Sequence, residues 1–176
     1  SWSPNDTKIL FTNTAANGVE LWVIDVASAQ AKKLTEANLN ANLGAPFSWF
    51  GDNETILVKL LPSNRKPLLD SKKDLPAGPI ISNASGAKSQ NRTYPDMLKN
   101  KNDEINFENI ITSELYKITL SGNKTLFKSA DMFAGQSLSP DGNYIMITTI
   151  QKPFSYIVPL NRFPMKSVVY DKSGRE

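Results

Sequence analysis

The stretch SLSPDGNYIMITT, at residues 137–149, decides the fold. Its proline and glycine set the backbone angles of a tight turn, and its aspartate is a residue type that hydrogen-bonds its own backbone in turns. The β-branched residues after the turn predict a strand. The same turn and strand recur at residues 1–12 (SWSPNDTKILFT) and 48–60 (SWFGDNETILVKL). Three copies of one unit indicate an internal repeat.

A second element follows the first in each copy. Residues 20–26 (ELWVIDV), 114–120 (ELYKITL) and 167–171 (SVVYD) each run into a short polar turn. These segments predict the third strand of a repeating unit, and residues 31–35 and 124–128 predict the fourth strand in the first two units.

The spacing between equivalent residues locates an insertion. Trp2 and Trp49 are 47 positions apart, which is close to the length of one four-stranded propeller blade. Trp49 and Leu138 are 89 positions apart, and Leu21 and Leu115 are 94 apart. Each of these two distances is longer than one unit, and the excess is roughly the length of a second unit. The second unit therefore carries an extra segment between its second and third strands.

These patterns predict an all-β fold, an incomplete β-propeller of two to three four-stranded blades. Blade 1 covers about residues 1–44, blade 2 about 45–134 with an insertion at about 62–112, and blade 3, which is incomplete, about 135–176. A propeller closes with about four to eight blades, so we expect this chain to be part of one propeller domain.

The insertion has two parts. Residues 62–91 are rich in proline and predict an extended loop. Residues 93–98 (TYPDML) predict the start of a short helix, with Thr93 or Tyr94 as the cap and Pro95 in the first turn, and residues 103–108 predict further helical turns.

Composition excludes several functions for the chain itself. It has 176 residues, a formal net charge of +3, and neither cysteine nor histidine, so it cannot build a Ser-His-Asp triad or a histidine-ligated metal site. We expect no catalytic residue, no metal and no cofactor in it. The basic stretch at residues 65–101 contains mixed charges and one aromatic residue, which argues against nucleic-acid binding. The sequence contains no run of 18 apolar residues, so no membrane-spanning segment is predicted.

Several single residues have plausible structural roles. Trp2, Trp22 and Trp49 are predicted to pack in the core, and Asp52 and Asp141 to hold their turns. The acidic residues Asp103, Glu104 and Glu108 lack the spacing of metal ligands and predict a solvated helical face.

The insertion and the segment after the third turn carry a family resemblance. Residues 56–65 (ILVKLLPSNR), 79–81 (PII) and 92–100 (RTYPDMLKN), with Asp103, Glu104, Phe107 and residues 112–115 (TSEL), resemble the propeller of glutamyl-endopeptidase-like serine peptidases of the prolyl oligopeptidase family. Residues 152–159 (KPFSYIVP) and 162–164 (RFP) resemble the same family. The second unit departs from the Ser-Pro form of the turn, which leaves the fold prediction unchanged.

The resemblance implies a larger parent protein. Its C-terminal α/β-hydrolase domain would carry a Gly-x-Ser-x-Gly nucleophile elbow and hydrolyse peptide bonds by acyl transfer, with a preference for acidic residues as one expectation. No Gly-x-Ser-x-Gly occurs in this chain. The propeller would exclude large folded substrates and position the peptide, so the implied partners are a peptide substrate and the parent's own hydrolase domain. The compartment stays open, with a periplasmic or secreted location slightly favoured.

Arginines are the candidate substrate-binding residues, because the guanidinium fork matches a carboxylate. Arg162 is the first candidate and Arg65 the second; Arg92 also lies within the family-like motifs. A structural salt bridge or a solvated surface arginine is the alternative role for each.

Two further interpretations remain open. The chain is also compatible with a TolB-like propeller that acts only as a protein-binding scaffold, since blade repeats do not dictate function. A free-standing small β domain would expose strand edges at both ends and is the least favoured.

Overall fold

The computed structural model describes residues 1–70 and 97–176, and in them ten strands form three antiparallel sheets. The first sheet contains β1 (Lys8–Ala15), β2 (Gly18–Asp25) and β3 (Gln30–Lys33). The second contains β4 (Phe47–Trp49), β5 (Thr55–Leu60), β6 (Ser113–Thr119) and β7 (Lys124–Asp131). The third contains β8 (Phe133–Leu138), β9 (Tyr144–Ile150) and β10 (Met165–Asp171). Each sheet is a simple meander in chain order, as expected of propeller blades.

The repeated turn has the same backbone conformation in all three copies. Asp6, Asn53 and Gly142 occupy the same position in their turns, with φ values of 55°, 60° and 67°. Only glycine, or asparagine and aspartate with their short polar side chains, adopts this left-handed conformation readily. The turns therefore confirm the repeat.

The two predicted turn aspartates act as expected. Asp52 accepts hydrogen bonds from the backbone N–H groups of Glu54 (3.0 Å) and Thr55 (2.8 Å). Asp141 accepts one from the backbone N–H of Asn143 at 3.1 Å, and the Ser139 hydroxyl also donates to it. Hydrogen bonds from Ser139 and Asn143 lower the pKa of Asp141 to about 2, so this carboxylate is ionised throughout the neutral range.

Apolar side chains pack between successive sheets. One cluster joins the first and second sheets, with Leu10, Leu21, Val23, Ile56, Val58 and Leu60 among its buried members. Another joins the second and third sheets through Leu57, Leu115, Phe133, Ile145 and Ile147. The second sheet is consequently buried on both faces, and five consecutive residues of β5, Ile56 to Leu60, are each at most 2% exposed.

The tryptophan prediction is confirmed for one residue of three. Trp49 is buried at 9% exposure, but Trp2 is 54% exposed and Trp22 only half-buried. The reason is the two-residue period of a strand: Leu21 and Val23 face the second sheet, so Trp22 between them faces away, where it stacks on Phe11. Trp2 bridges to Ile9 and shares that outer face.

The insertion contains one α-helix in its described part, α1 (Lys101–Ile111). Its cap is Asn100, whose side chain accepts a hydrogen bond from the Asp103 N–H at 2.9 Å. The predicted start at residues 93–95 lies outside the described residues, but residues 97–100 are not helical, so the prediction of a helix through 97 and 98 is wrong. Asparagine satisfies the first free N–H groups of the helix and so fixes where it begins.

The other end of α1 is tied to the segment before the second sheet. Asn40, 2% exposed, donates from Nδ2 to the carbonyls of Ile110 at 2.9 Å and Thr112 at 3.1 Å. These carbonyls have no partner within the helix, so the buried amide both caps α1 and fixes its position.

The third sheet begins at Phe133, close to the predicted start of blade 3 at about residue 135. Residues 62–70 contain no helix or strand, in line with the predicted extended loop, and the rest of that loop from 71 onward lies outside the described residues.

Within the described parts of the chain, no helix has the length and apolar character needed to cross a bilayer.

The repeated turn gives a first testable prediction. Gly142→Ala should lower the free energy of unfolding by about 1 kcal/mol, because φ of +67° is strained for alanine. A Cβ at this position would meet nothing closer than 3.9 Å, so the loss would come from the backbone and not from a clash. Urea denaturation at neutral pH measures the change.

Gly51→Ala is the matched control. Gly51 lies in the equivalent turn of the second sheet but does not have a left-handed φ, and a Cβ there would meet nothing within 4 Å. Equal losses in the two variants would contradict the assignment of strain to residue 142.

Candidate functional site

A cleft of about 740 Å³ lies between the segment before the second sheet and the third sheet, and it contains the first candidate arginine. We call it the Arg162 cleft. One wall comes from the segment before β4, the floor from the start of β8, and the opposite wall from the end of β9 and the segment before β10. Its lining residues are Leu43, Gly44, Ala134, Gly135, Thr148, Ile150, Pro159, Leu160, Asn161, Arg162 and Met165.

Aromatic packing places the wall that carries Arg162. Phe107 of α1 packs edge-on against Phe154 and Phe163, with ring centroids 5.1 and 5.9 Å away, and the latter two rings stack at 5.6 Å. An ion pair of 2.7 Å between Lys152 and Glu108 joins the same two segments. The helix of the insertion therefore supports the segment between β9 and β10, on which the arginine lies.

Arg162 ends a single 3-10 turn, Leu160–Arg162, in which its backbone N–H donates to the Pro159 carbonyl at 2.9 Å. Its side chain is exposed. Among residues 1–70 and 97–176, none forms a hydrogen bond or ion pair with its guanidinium. Toward the described residues, all five N–H donors of this group are therefore available to a ligand.

Arg65, the second candidate, lies elsewhere. Its Nε donates to the carbonyl of Asn109 in α1 at 3.0 Å, and it does not line the cleft. Arg65 lies in the insertion, and Arg162 lies in the segment between β9 and β10. The structure therefore does not bring the two arginines into one cavity. Arg92 lies outside the described residues.

A lysine that was not predicted from the sequence lies behind the cleft. Lys59 of β5 is 2% exposed, and its ammonium donates to the carbonyl of Leu43, a lining residue. Burial lowers its pKa to about 8. The sequence signal that could have revealed it is a single lysine inside the apolar run ILVKLL at residues 56–61.

No aspartate or glutamate is among the lining residues of the Arg162 cleft. One exposed guanidinium in its wall and one buried ammonium behind it contribute positive charge to the cleft. Such a cleft is suited to an anionic group attached to an apolar body.

A second, more polar cleft of about 480 Å³ lies at the repeated turns of the second and third sheets. Its charged residues are Asp52, Asp141, Lys117 and Lys172. The aspartates hold their own turns, and the Lys117 ammonium lies over the rings of Phe50 and Phe127 at 5.2 and 4.9 Å. The two aspartates and Lys117 are thus engaged in contacts within their own turns and strands.

The acidic residues of α1 also have partners. Asp103 accepts the Lys99 N–H at 2.8 Å, Glu104 pairs with Lys101, and Glu108 pairs with Lys152. Among the described residues, no group of three or more acidic residues is arranged to hold a metal ion.

Comparison with known proteins relates the chain to peptidases. It is 32% identical to a protein of Oryza sativa subsp. japonica named "Probable glutamyl endopeptidase, chloroplastic", and 31% identical to one of the same name from Arabidopsis thaliana. Each alignment covers 99% of this chain and 19% of the relative, so the chain spans about a fifth of their length. No protein-family model matches the chain.

Solved structures confirm the fold. An acylaminoacyl peptidase of Pyrococcus horikoshii matches 99% of the chain, over 23% of its own length, with a TM-score of 0.55 and 18% identity. A putative TolB of Agrobacterium tumefaciens matches 99% of the chain, over 45% of its own length, with a TM-score of 0.54 and 11% identity. The three sheets thus form an incomplete β-propeller, as predicted from the sequence.

The buried lysine gives a prediction on stability. We expect Lys59→Met to raise the free energy of unfolding at pH 7 by up to about 3 kcal/mol, the free energy that corresponds to lowering the pKa from 10.5 to about 8. Between pH 8 and 10.5 the unfolded state binds more protons than the folded state, so the wild-type chain gains stability as pH rises. The advantage of the methionine variant should shrink across that range.

Urea denaturation of both proteins at pH 7, 8.5 and 10 measures the difference, and comparison at each pH cancels the titration of other groups. A difference that does not change with pH would contradict the assignment of the lowered pKa to Lys59.

Proposed function

Given that the chain is a segment of a peptidase-type β-propeller, we propose that it admits and positions a peptide substrate for a catalytic domain elsewhere in the same protein. The relatives it matches are named as glutamyl endopeptidases, and the propeller segment accounts for about a fifth of their length. The remaining length leaves ample room for a catalytic domain. In this proposal the segment itself carries no catalytic residue.

The proposed chemistry of the parent is acyl transfer by a Ser-His-Asp triad in an α/β-hydrolase domain. This chain has no histidine, so the general base of such a triad would come from that domain. The segment would contribute by holding the peptide in a reactive orientation and by restricting access to large folded proteins.

The guanidinium of Arg162, which has no partner among residues 1–70 and 97–176, is the observation that carries the proposal. In a cleft of about 740 Å³ where no described lining residue is a carboxylate, it is arranged to bind a carboxylate from outside. The word glutamyl in the relatives' names agrees with an acidic side chain as that carboxylate. We propose Arg162 as the substrate contact and retain Arg65 as the second candidate.

A binding scaffold is the alternative function. The match to the putative TolB supports it at the level of fold. A scaffold would use the same blades without any hydrolase domain, so chemistry in the full-length protein distinguishes the two functions.

Labelling with a fluorophosphonate probe tests the proposed chemistry. We expect the full-length protein that contains this segment to be labelled at a serine, and the 176-residue chain alone to stay unlabelled. Absence of labelling in a folded full-length protein would favour the scaffold.

Substitution of the two arginines tests the substrate contact. In the full-length protein, Arg162→Ala should lower kcat/KM by about 100-fold for a peptide with glutamate at the cleaved position, because a charged hydrogen-bonded pair contributes about 1.5–3 kcal/mol. The glutamine version of the peptide should change little, because it offers no charge to the guanidinium.

Arg65→Ala provides the comparison, since Arg65 is exposed, lies outside the cleft and is bonded to α1. A selective loss in this variant as well would place both arginines at the substrate. If both variants cleaved the glutamate peptide as efficiently as the wild type, neither arginine would be a substrate contact.

A further inference from the structure

A buried positive charge lies directly behind the wall of the Arg162 cleft. The Lys59 ammonium donates to the carbonyl of Leu43, and a Cβ placed on Gly44 would lie 3.9 Å from its nitrogen. Leu43 and Gly44 both line the cleft. About one peptide unit therefore separates the ammonium from the part of the cleft wall that Leu43 and Gly44 form.

This lysine has no acidic partner within the described part of the chain. Its side chain forms no ion pair there, and the Leu43 carbonyl is the one hydrogen-bond acceptor found for it. A buried ammonium without a counter-charge destabilises a fold, since methionine would fill the same space without desolvating a charge. Buried charges of this kind next to a cleft are candidates for function.

The hydrogen bond also orients a donor. In a trans peptide the C=O and N–H groups point in opposite directions, so the carbonyl of Leu43 facing Lys59 turns the N–H of Gly44 away from the lysine. No residue in the described ranges accepts a hydrogen bond from that N–H. Gly44 is exposed and has a φ of 61°.

The backbone at Gly44 is also held from the side. A Cβ at this residue would come within 2.4 Å of the Ala134 carbonyl, so a side chain cannot be accommodated without moving β8. The close approach of the two backbones favours glycine at this position, so residue 44 has no side chain of its own to cover its amide.

We propose that Lys59 is a positioning residue for carboxylate binding: it holds the Leu43–Gly44 peptide with its N–H available to the ligand and adds a positive charge behind a cleft that Arg162 also lines. The inference rests on the proposed function, in which the cleft takes a peptide carboxylate. It extends that function by adding a second cation and a backbone donor. The carboxylate can be an acidic side chain or the C-terminus of a peptide.

Equilibrium binding to the full-length protein tests the inference with three short peptides. Any serine that the fluorophosphonate probe labels is first replaced by alanine, so that the peptides bind without being cleaved. One carries glutamate and a C-terminal amide, one carries glutamine and a free C-terminus, and one carries glutamine and a C-terminal amide. Calorimetric titration gives a Kd for each, and the ratio to the neutral peptide measures the preference for each kind of carboxylate.

We expect Lys59→Met to reduce the carboxylate preference about tenfold while the neutral peptide binds within about twofold of wild type, since a unit charge several ångströms away in a partly buried site contributes on this scale. The peptide whose preference falls identifies the carboxylate as side chain or C-terminus. Lys32→Met is the matched control, because Lys32 also donates to a backbone carbonyl, that of Leu120, but is exposed and lies on β3.

A pH series separates an electrostatic role from a structural one. The wild-type preference should fall between pH 7 and 9.5 as Lys59 loses its proton, and should stay constant in Lys59→Met. On the elements around Lys59, the charged or titratable side chains are Glu114, Tyr116 and Lys117 on β6, Lys124, Lys128 and Asp131 on β7, and Arg162 before β10. All remain in the variant, so their titration is common to both proteins.

The outcomes are distinct. An unchanged carboxylate preference and pH profile in Lys59→Met, together with a loss in Arg162→Ala, would overturn this inference and leave the proposed contact standing. Absence of any carboxylate preference in the wild type would overturn both. A Lys59-dependent preference in a protein that hydrolyses no peptide would support the inference and contradict the proposed peptidase activity.

Discussion

The burial of the second sheet on both faces is the constraint on which the rest of the structure depends. In a strand, successive side chains point to opposite faces, so a sheet packed between two others buries side chains on both of its faces. Residues 56–60 in β5 show this directly. One alternate set packs against the first sheet and the other against the third. The same geometry buries Lys59 and directs its ammonium to the segment before β4.

The insertion supports the segment that carries Arg162, although the insertion and the arginine belong to different blades. Helix α1 leaves and returns to the second sheet, while Arg162 lies between two strands of the third. The contacts between Phe107, Phe154 and Phe163 join them, and Asn40 fixes the other end of the helix. A long insertion on a rigid scaffold thus supports a cleft wall formed by another segment, which is one way for a repeated fold to acquire a specific function.

The sequence by itself determined the repeat, the turns and the resemblance to peptidase propellers. Turn residues act locally: the conformation of residues 139–142 follows from a proline, an aspartate and a glycine within four positions, so it could be predicted without any partner. The insertion could be located from spacing alone. Arg162 could be singled out because it lies in a family-like motif and because guanidinium chemistry suits carboxylates.

The tertiary structure decided everything that depends on which face of a strand meets another sheet. Trp2 and Trp22 look like core residues in sequence, yet their faces of the first sheet point away from the second. Lys59 is buried only because the two neighbouring sheets pack on the strand that carries it. Arg65 and Arg162 are both candidates in the sequence, but in the structure Arg65 bonds to α1 and only Arg162 lines the cleft. Burial and proximity arise from contacts between segments far apart in the chain, and local sequence cannot specify them because each such contact depends on the packing of both partners.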